Sequence, residues 1–423
     1  MLWTHIVMYI IAYFGLFTAS FFLLTYFGNK REVKSDPIAK KFPFVSIVIN
    51  VWNEEKAIAK TIKSVLSLNY PKNKYEIIVV DDGSTDRTYE RAKAFSGSLP
   101  RVRVLRKKNG GAASAKNFGI KYAKGEIIAT LDADSFVTKD ALKKMVGYFE
   151  DKDVYSVTAA LNVYKPKGFL HNLQWAEYVM GIFLRKIFSL TDALHVIPGP
   201  FSLFRKKFFD KYGDFDEGNI TEDTEIAMRI QTKGYKIKNS ISANVYTILP
   251  NSYWGLMKQR IRWYYGFLNN SWHYKNLFNP FERRDNLSIL ILPAALISVV
   301  LAILTIFIFV YENIALLQDN VIRLIVTDFD ILSSLLSIDW AFIRESIISY
   351  IFNPFIAFIV MGVICAGVLI TMGKKESLEK RNMFWAFLSF FLTYWFFYAS
   401  WWIGTFIYRG VLRKKIKWGP RYY

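Results

Sequence analysis

Asp132 and Asp134 close an apolar run over residues 127–131. Read as a buried strand, that run carries two carboxylates past its last packed residue. In an extended chain, residues i and i+2 point the same way, so the two side chains can converge on one divalent cation. Magnesium or manganese suits such a pair, because hard cations take oxygen ligands and accept phosphate as a co-ligand. Alone, D-x-D is equally the signature of a solvated strand end, so its company matters. Two more polar clusters follow apolar runs, Asn50 to Glu54 and Asp81 to Asp86. Further on, Thr221-Glu222-Asp223 opens a helical stretch, a position where acids often serve only the helix dipole. Gln259, Arg262 and Trp263 stand at i, i+3 and i+4 of another helical stretch and so share a face.

The elements that must position these groups alternate. Residues 45–51 read as a buried strand and 54–68 as a helix with Ile58, Ile62, Val65 and Leu66 on one face. Residues 75–86 read as a strand running into a turn, with Ser84 or Asp86 as cap of the next helix. A third strand falls at 101–107, a glycine-led helix at 109–123, and a fourth strand ends in the D-x-D, with Thr138 as cap of the helix beyond. Such alternation predicts a parallel sheet with right-handed crossovers, and ligands of such sheets sit beyond the carboxyl ends of the strands. One cleft would then unite the three acidic strand ends. An aromatic-rich helix is expected over 169–190 and a glycine- and proline-bent segment over 196–206.

The 423 residues are 52% hydrophobic and 17% aromatic, which points to a membrane component. Residues 2–27 are long and apolar enough to span, a crossing taking roughly 20 residues. Lys30, Arg31 and Lys34 follow that run and no small-residue cleavage site stands out, which favours an anchor over a signal peptide and places the following chain in the cytoplasm. Three more apolar runs lie at about 287–311, 347–371 and 383–408, giving four expected spans. Asp319, Asp328, Asp330 and Asp339 argue against a crossing between the first two of these. Four spans put the tail outside, although Arg409, Arg413, Lys414, Lys415, Lys417 and Arg421 prefer the inside. The net charge of +20 suits an anionic partner such as a phosphorylated substrate or a membrane surface. No zinc spacing or RNA-binding signature accompanies it, so nucleic acid is set aside. Cys365 is the only cysteine, which excludes an intramolecular disulfide, and no two of the four histidines have ligand spacing.

VDDGSTD, DAD, TED and QRIRW, in that order, resemble the processive inverting family-2 glycosyltransferases of the GT-A fold. That group includes hyaluronan, chitin and cellulose synthases and the nodulation-type chitooligosaccharide synthases. The similarity covers about residues 44–270 and implies an α/β, Rossmann-like GT-A domain at 42–250. An N-terminal anchor over 1–28, interfacial helices over 251–286 and a C-terminal transmembrane region over 287–423 complete the expected organisation. The resemblance implies that Asp82, with Asp81 beside it, contacts the uracil or ribose, with Trp52 beside the base and Glu54 a nucleoside-binding acid. It implies a sugar or diphosphate contact for Lys116 and donor and metal binding (Mg2+ or Mn2+) for Asp132 and Asp134. Asp223 corresponds to the general base with Glu222 its neighbour, and Gln259, Arg262 and Trp263 to the acceptor end. An ordinary aspartate, with a pKa of about 3.9, would be ionised at neutral pH and able to take the acceptor's proton. Arg262 offers a forked, permanently charged donor to diphosphate oxygens, and Trp263 a flat face to a sugar ring.

The implied partners are a nucleotide-sugar donor, probed first as a UDP-sugar, a glycan or lipid-linked acceptor, and the bilayer. The implied location is the plasma membrane, multi-pass, with the catalytic domain cytoplasmic. Two other functions compete with processive synthesis: transfer of one sugar to a polyprenyl-phosphate, and a non-catalytic nucleotide-sugar sensor or transport component.

Overall fold

The strand β1 (Val45–Val51) is buried along its whole length, as a strand covered on both faces must be. The structure, a computed structural model, describes residues 2–97, 99–330, 340–352, 354–377 and 379–411. Seven strands join β1: β2 (Tyr75–Asp81), β3 (Val102–Arg106), β4 (Ile127–Asp132), β5 (Ser135–Val137), β6 (Val154–Val163), β7 (Ser202–Arg205) and β8 (Lys236–Thr247). They form one sheet in the order β3-β2-β1-β4-β7-β6-β8-β5.

The expected parallel pairing holds for β3, β2, β1 and β4. Beyond β4 it does not: β7 runs antiparallel to both β4 and β6, β6 and β8 are parallel, and β5 closes the edge antiparallel to β8. The cause lies in where the chain re-enters. After the helix Gly168–Leu190 the 191–201 segment arrives at the carboxyl end of β4, where a Cβ on Gly199 would stand 2.9 Å from Asp132 Oδ2. A strand starting there can only run back against β4.

Alternation along the strands divides the core. Ile47, Ile49, Ile77 and Val79 pack with the helices Ile58–Leu66 and Ala141–Val146 on one face. Val48, Ile78 and Val80 pack with Ala112–Lys121 and Glu222–Thr232 on the other. Each fully buried Ile or Val of β1 contributes about 1.5–3 kcal/mol. Gly119 sets the closeness of the second layer, since a Cβ there would lie 2.4 Å from Val48 Cγ1.

None of the predicted caps takes the residue directly before its helix, which is Arg87 in one case and Asp140 in the other. Asp86 accepts the backbone N–H of Thr88, first residue of the helix Thr88–Lys93, at 3.0 Å. Ser84 instead accepts from the Asn53 N–H at 3.0 Å, tying the turn after β1 to the turn after β2. Thr138 is no cap: its hydroxyl donates to the Asn244 carbonyl at 3.0 Å, and Asp140 precedes the helix.

Among the described residues, three helices have the length and hydropathy to cross a bilayer: Trp3–Gly28, Leu287–Val326 and Phe384–Arg409. The expected span at 347–371 is divided between the helices Trp340–Ile351 and Pro354–Glu376. The latter packs on the first helix, where Tyr26 donates to Glu376 at 2.8 Å. The 287–311 run continues further than expected, carrying Asp319 within a helix that ends at Val326. Asp339 and the basic tail residues Arg413, Lys414, Lys415, Lys417 and Arg421 lie outside the described residues.

Candidate active site

The carboxyl ends of β1, β2 and β4 open into one cleft lined by Asn50, Trp52, Glu54, Asp82, Asp132 and Asp134, with Ala112 and Ala115 facing them. The three acidic strand ends therefore meet, as their places in a parallel sheet require. Asp134 is buried, and Asn50 donates to Asp132 Oδ1 at 3.3 Å. Asn50 Oδ1 is buried without a partner. No cluster of three or more His, Cys, Asp or Glu with metal-holding geometry exists among the described residues. The cleft instead offers two carboxylates and a spare amide oxygen, an all-oxygen set that fits a hard cation completing its shell with phosphate and water.

Asp81 and Asp82 part company. Asp82 lines the cleft, while its carboxylate accepts from Gly110 N–H (3.0 Å), Gly111 N–H (2.7 Å) and Lys107 Nζ (2.8 Å). It thereby fixes the turn that opens the Ala112–Lys121 helix, where Gly111 takes φ +92°. Asp81 is not among the cleft residues. It is wholly buried and paired with Arg106 Nε at 3.1 Å, because neighbouring strand residues point to opposite faces. Burial raises its pKa above the ordinary value, against the lowering effect of Ser84 and Arg106.

Lys116, on that same helix, is 1% exposed and donates to Glu222 Oε1 at 2.8 Å. Burial works against its charge, but Glu222, Asp132 and Asp223 outweigh burial and raise its pKa above that of an ordinary lysine. One ammonium is thus paired with Glu222 and drawn by the charges of Asp132 and Asp223. The Asp223 carboxyl is pushed up to about 6 by burial and by the charge of Glu222, with Lys116 and Arg262 opposing. The ordinary carboxylate value expected from sequence does not hold here. A carboxylate so raised is still mainly ionised at neutral pH and is a better proton acceptor than a free aspartate.

The helix Tyr253–His273 straps this turn in place. Gly266 allows the approach: a Cβ there would stand 2.1 Å from Thr221 Oγ1. Asn270 Nδ2 donates to Thr221 Oγ1 at 3.1 Å, and Asn219 Nδ2 donates to Asn270 Oδ1 at 2.7 Å. Arg262 Nη1 donates to the Ile220 carbonyl at 3.2 Å. On the same helix Gln259 keeps a buried Oε1 without a partner, and the Trp263 ring lies against the Arg260 guanidinium at 4.3 Å. The predicted residues thus fall into a cleft group (Trp52, Glu54, Asp82, Asp132, Asp134) and a turn group (Glu222, Asp223, Arg262), with Lys116 between them. Asn50 was named only as the start of a polar cluster and Gly199 only within a bent segment, while Gly266 and Asn270 went unnoticed in the sequence. Asn50 carried the clearer signal, as the last polar residue of a strand whose neighbours end in acids.

Lys116→Met should show how much rests on that ammonium. Removing it strands the Glu222 carboxylate in a buried position, a loss of about 3–5 kcal/mol for a broken buried pair. Thermal unfolding in detergent should report the drop. Because Lys116 holds the Asp223 pKa down, the Asp223 carboxyl of the variant should ionise at a higher pH than in wild type, as titration followed by NMR would show.

Residues 46–213 match the family described as Glycosyl transferase family 2. The poly-beta-1,6-N-acetyl-D-glucosamine synthase of Staphylococcus aureus (strain COL) is 32% identical over 249 residues, covering 57% of this chain and 60% of that protein. The synthase of the same name from Staphylococcus epidermidis is 32% identical over 243 residues, 57% and 58% of the two chains. The chain therefore spans about 60% of the length of these curated relatives. Among solved structures, the mannosyltransferase PcManGT from Pyrobaculum calidifontis, in complex with GDP-Man and Mn2+, superposes with a TM-score of 0.55 at 19% identity, over 88% of this chain and 100% of that one. Sheet order and matched span agree: residues 46–213 resemble a glycosyl transferase family 2 domain, and the sheet is that of a GT-A fold.

Proposed function

We propose that this protein is a membrane-embedded inverting glycosyltransferase that moves a sugar from a UDP-sugar onto a growing polysaccharide. The observation that carries it is the buried Lys116 ammonium, which donates to Glu222 Oε1 at 2.8 Å from a helix whose Ala112 and Ala115 line the cleft of Asp132 and Asp134. Donor-binding and proton-accepting groups are thereby held in one electrostatic unit. The naming of the relatives as poly-beta-1,6-N-acetyl-D-glucosamine synthases supports a polymeric product and makes UDP-N-acetylglucosamine the first donor to test.

In this mechanism Trp52 and Glu54 receive the nucleoside, and Asp82 acts through the glycine turn it fixes. Asp132 and Asp134 would hold Mg2+ or Mn2+, which when bound neutralises the charge growing on the leaving diphosphate. Arg262 donates one N–H to the Ile220 carbonyl beside the base, and its other N–H groups would serve phosphate oxygens. The acceptor hydroxyl attacks the anomeric carbon from the face opposite the diphosphate. Asp223 takes its proton as the new C–O bond forms and the bond to the diphosphate breaks. One displacement inverts the anomeric centre. Trp263 presents a ring face to the acceptor sugar, and Gln259 a spare carbonyl oxygen to its hydroxyls.

Purified protein offered UDP- and GDP-linked sugars should release nucleotide with one UDP-sugar and yield a ladder of products. Single-sugar products on a polyprenyl phosphate would replace the polymerase by the lipid transferase. Donor binding without nucleotide release, under every acceptor tried, would leave the sensor.

A further inference from the structure

We propose that Arg260, held by Glu177 and Tyr394, is a positioning residue for Trp263, orienting the ring that receives the acceptor. This rests on the transferase function proposed above. Arg260 is the motif position with no assigned role, yet it is the most deeply placed, at 2% exposed. Its Nη2 lies 2.6 Å from Glu177 Oε2. The Tyr394 hydroxyl donates to the other oxygen, Glu177 Oε1, at 3.2 Å. The guanidinium lies over two rings, Trp263 at 4.3 Å and Trp401 at 5.1 Å.

Those partners come from three helices. Glu177 belongs to Gly168–Leu190, Arg260 and Trp263 to Tyr253–His273, and Tyr394 and Trp401 to Phe384–Phe406. One planar cation therefore joins the strap over the turn to a helix apolar enough to span a membrane. The contact is close along its length: Tyr264 stacks on Trp402 at 4.3 Å with 5° between planes, and a Cβ on Gly404 would stand 2.8 Å from Met257 Cε. The strap helix cannot turn about its axis without breaking the pair, and Trp263 is one turn from Arg260.

Stability alone does not explain the arrangement. Arg260 Nε and Trp401 Nε1 are buried without acceptors, which costs free energy. Well-packed apolar side chains can equal or exceed a buried ion pair in stability. What a guanidinium adds is direction: a fork for one carboxylate and a flat face for a ring, neither of which lysine supplies.

The test compares Arg260→Lys with the paired replacement Glu177→Leu/Arg260→Met, using UDP-N-acetylglucosamine as donor and β-linked N-acetylglucosamine oligomers as acceptors. The paired replacement removes both charges together, so it should fold and melt like wild type. Both variants should bind UDP with affinity within about twofold of wild type. Both should show transfer per acceptor concentration reduced on the order of a hundredfold, the scale of a misplaced positioning group, with products shortened. Arg260→Lys keeps the charge and should not rescue. If the paired variant folds and makes wild-type products at wild-type acceptor KM, the cluster is only structural and the inference falls. If wild-type protein neither binds UDP nor transfers, the proposed function falls instead.

Discussion

Asp223→Asn should lower transfer on the order of 10^2–10^4-fold, the usual contribution of a positioned general base, while UDP binding persists. The asparagine keeps the shape and the hydrogen bond from the Thr224 N–H, which reaches Asp223 Oδ1 at 2.8 Å. It loses only the ability to take a proton. Folding should survive. A carboxyl whose pKa is raised on folding, here from 3.8 to about 6, stabilises the fold fully only below its unfolded value, and that contribution is lost as pH rises through the folded value. At pH 7.5 the native carboxylate is therefore an unfavourable charge, and its neutral isostere should unfold no earlier than wild type. The wild-type rate should follow the same ionisation. Turnover should rise through about pH 6 to a plateau, because the base acts only when deprotonated. At pH 5 about a tenth of the plateau should remain, and Asp223→Asn should show no such limb. Turnover by the variant equal to wild type would remove Asp223 from the mechanism.

What could be read from the sequence was whatever depends on local pattern. β1 is found at the expected residues, 45–51, because a strand buried on both faces must be continuously apolar. Asp132, Asp82 and Glu54 share a cleft because three parallel strands carry their carboxyl ends to one side, a consequence of alternation alone. Pairing beyond β4 was not legible. It turns on Gly199 coming to rest beside Asp132, two residues 67 positions apart with no periodicity connecting them. The Asp223 pKa failed for a similar reason. Its chain neighbours suggested a helix start, whereas burial and the charge on Glu222 raise it against Lys116 and Arg262, from elements more than 35 residues away on either side. Gly266 and Asn270 looked like ordinary helix residues until Thr221 lay against them. Asp81 and Asp82 look equivalent in sequence, but a strand end sends one to Arg106 and the other to the cleft.

Chelation of divalent cations by EDTA should stop transfer, and Mn2+ or Mg2+ should restore it. The expectation comes from the charges that meet in the cleft. Asp132 and Asp134 bring two negative charges to the cleft proposed for the diphosphate, and Glu54 adds another along its wall. Lys107 is already engaged by Asp82 and Lys116 by Glu222, so neither ammonium is uncommitted. Carboxylates packed beside a diphosphate repel it unless a cation lies between, and that repulsion grows as the leaving group gains charge. Losing the cation should therefore cost several kcal/mol of transition-state stabilisation, on the order of 10^3-fold or more in rate. Asp134→Asn separates this from general inhibition, since its effect is read without turnover. Calorimetric titration of Mn2+ into protein with UDP should show affinity weakened on the order of tenfold or more, the scale on which even outer-shell substitutions act. The neighbouring Ser135, whose hydroxyl donates to Asp134 Oδ1 at 3.0 Å, orients that carboxylate, so Ser135→Ala should weaken Mn2+ in the same assay by a smaller factor. Full transfer in EDTA, with Mn2+ binding unchanged in Asp134→Asn, would leave Asp132 and Asp134 as direct contacts to the donor sugar rather than cation ligands.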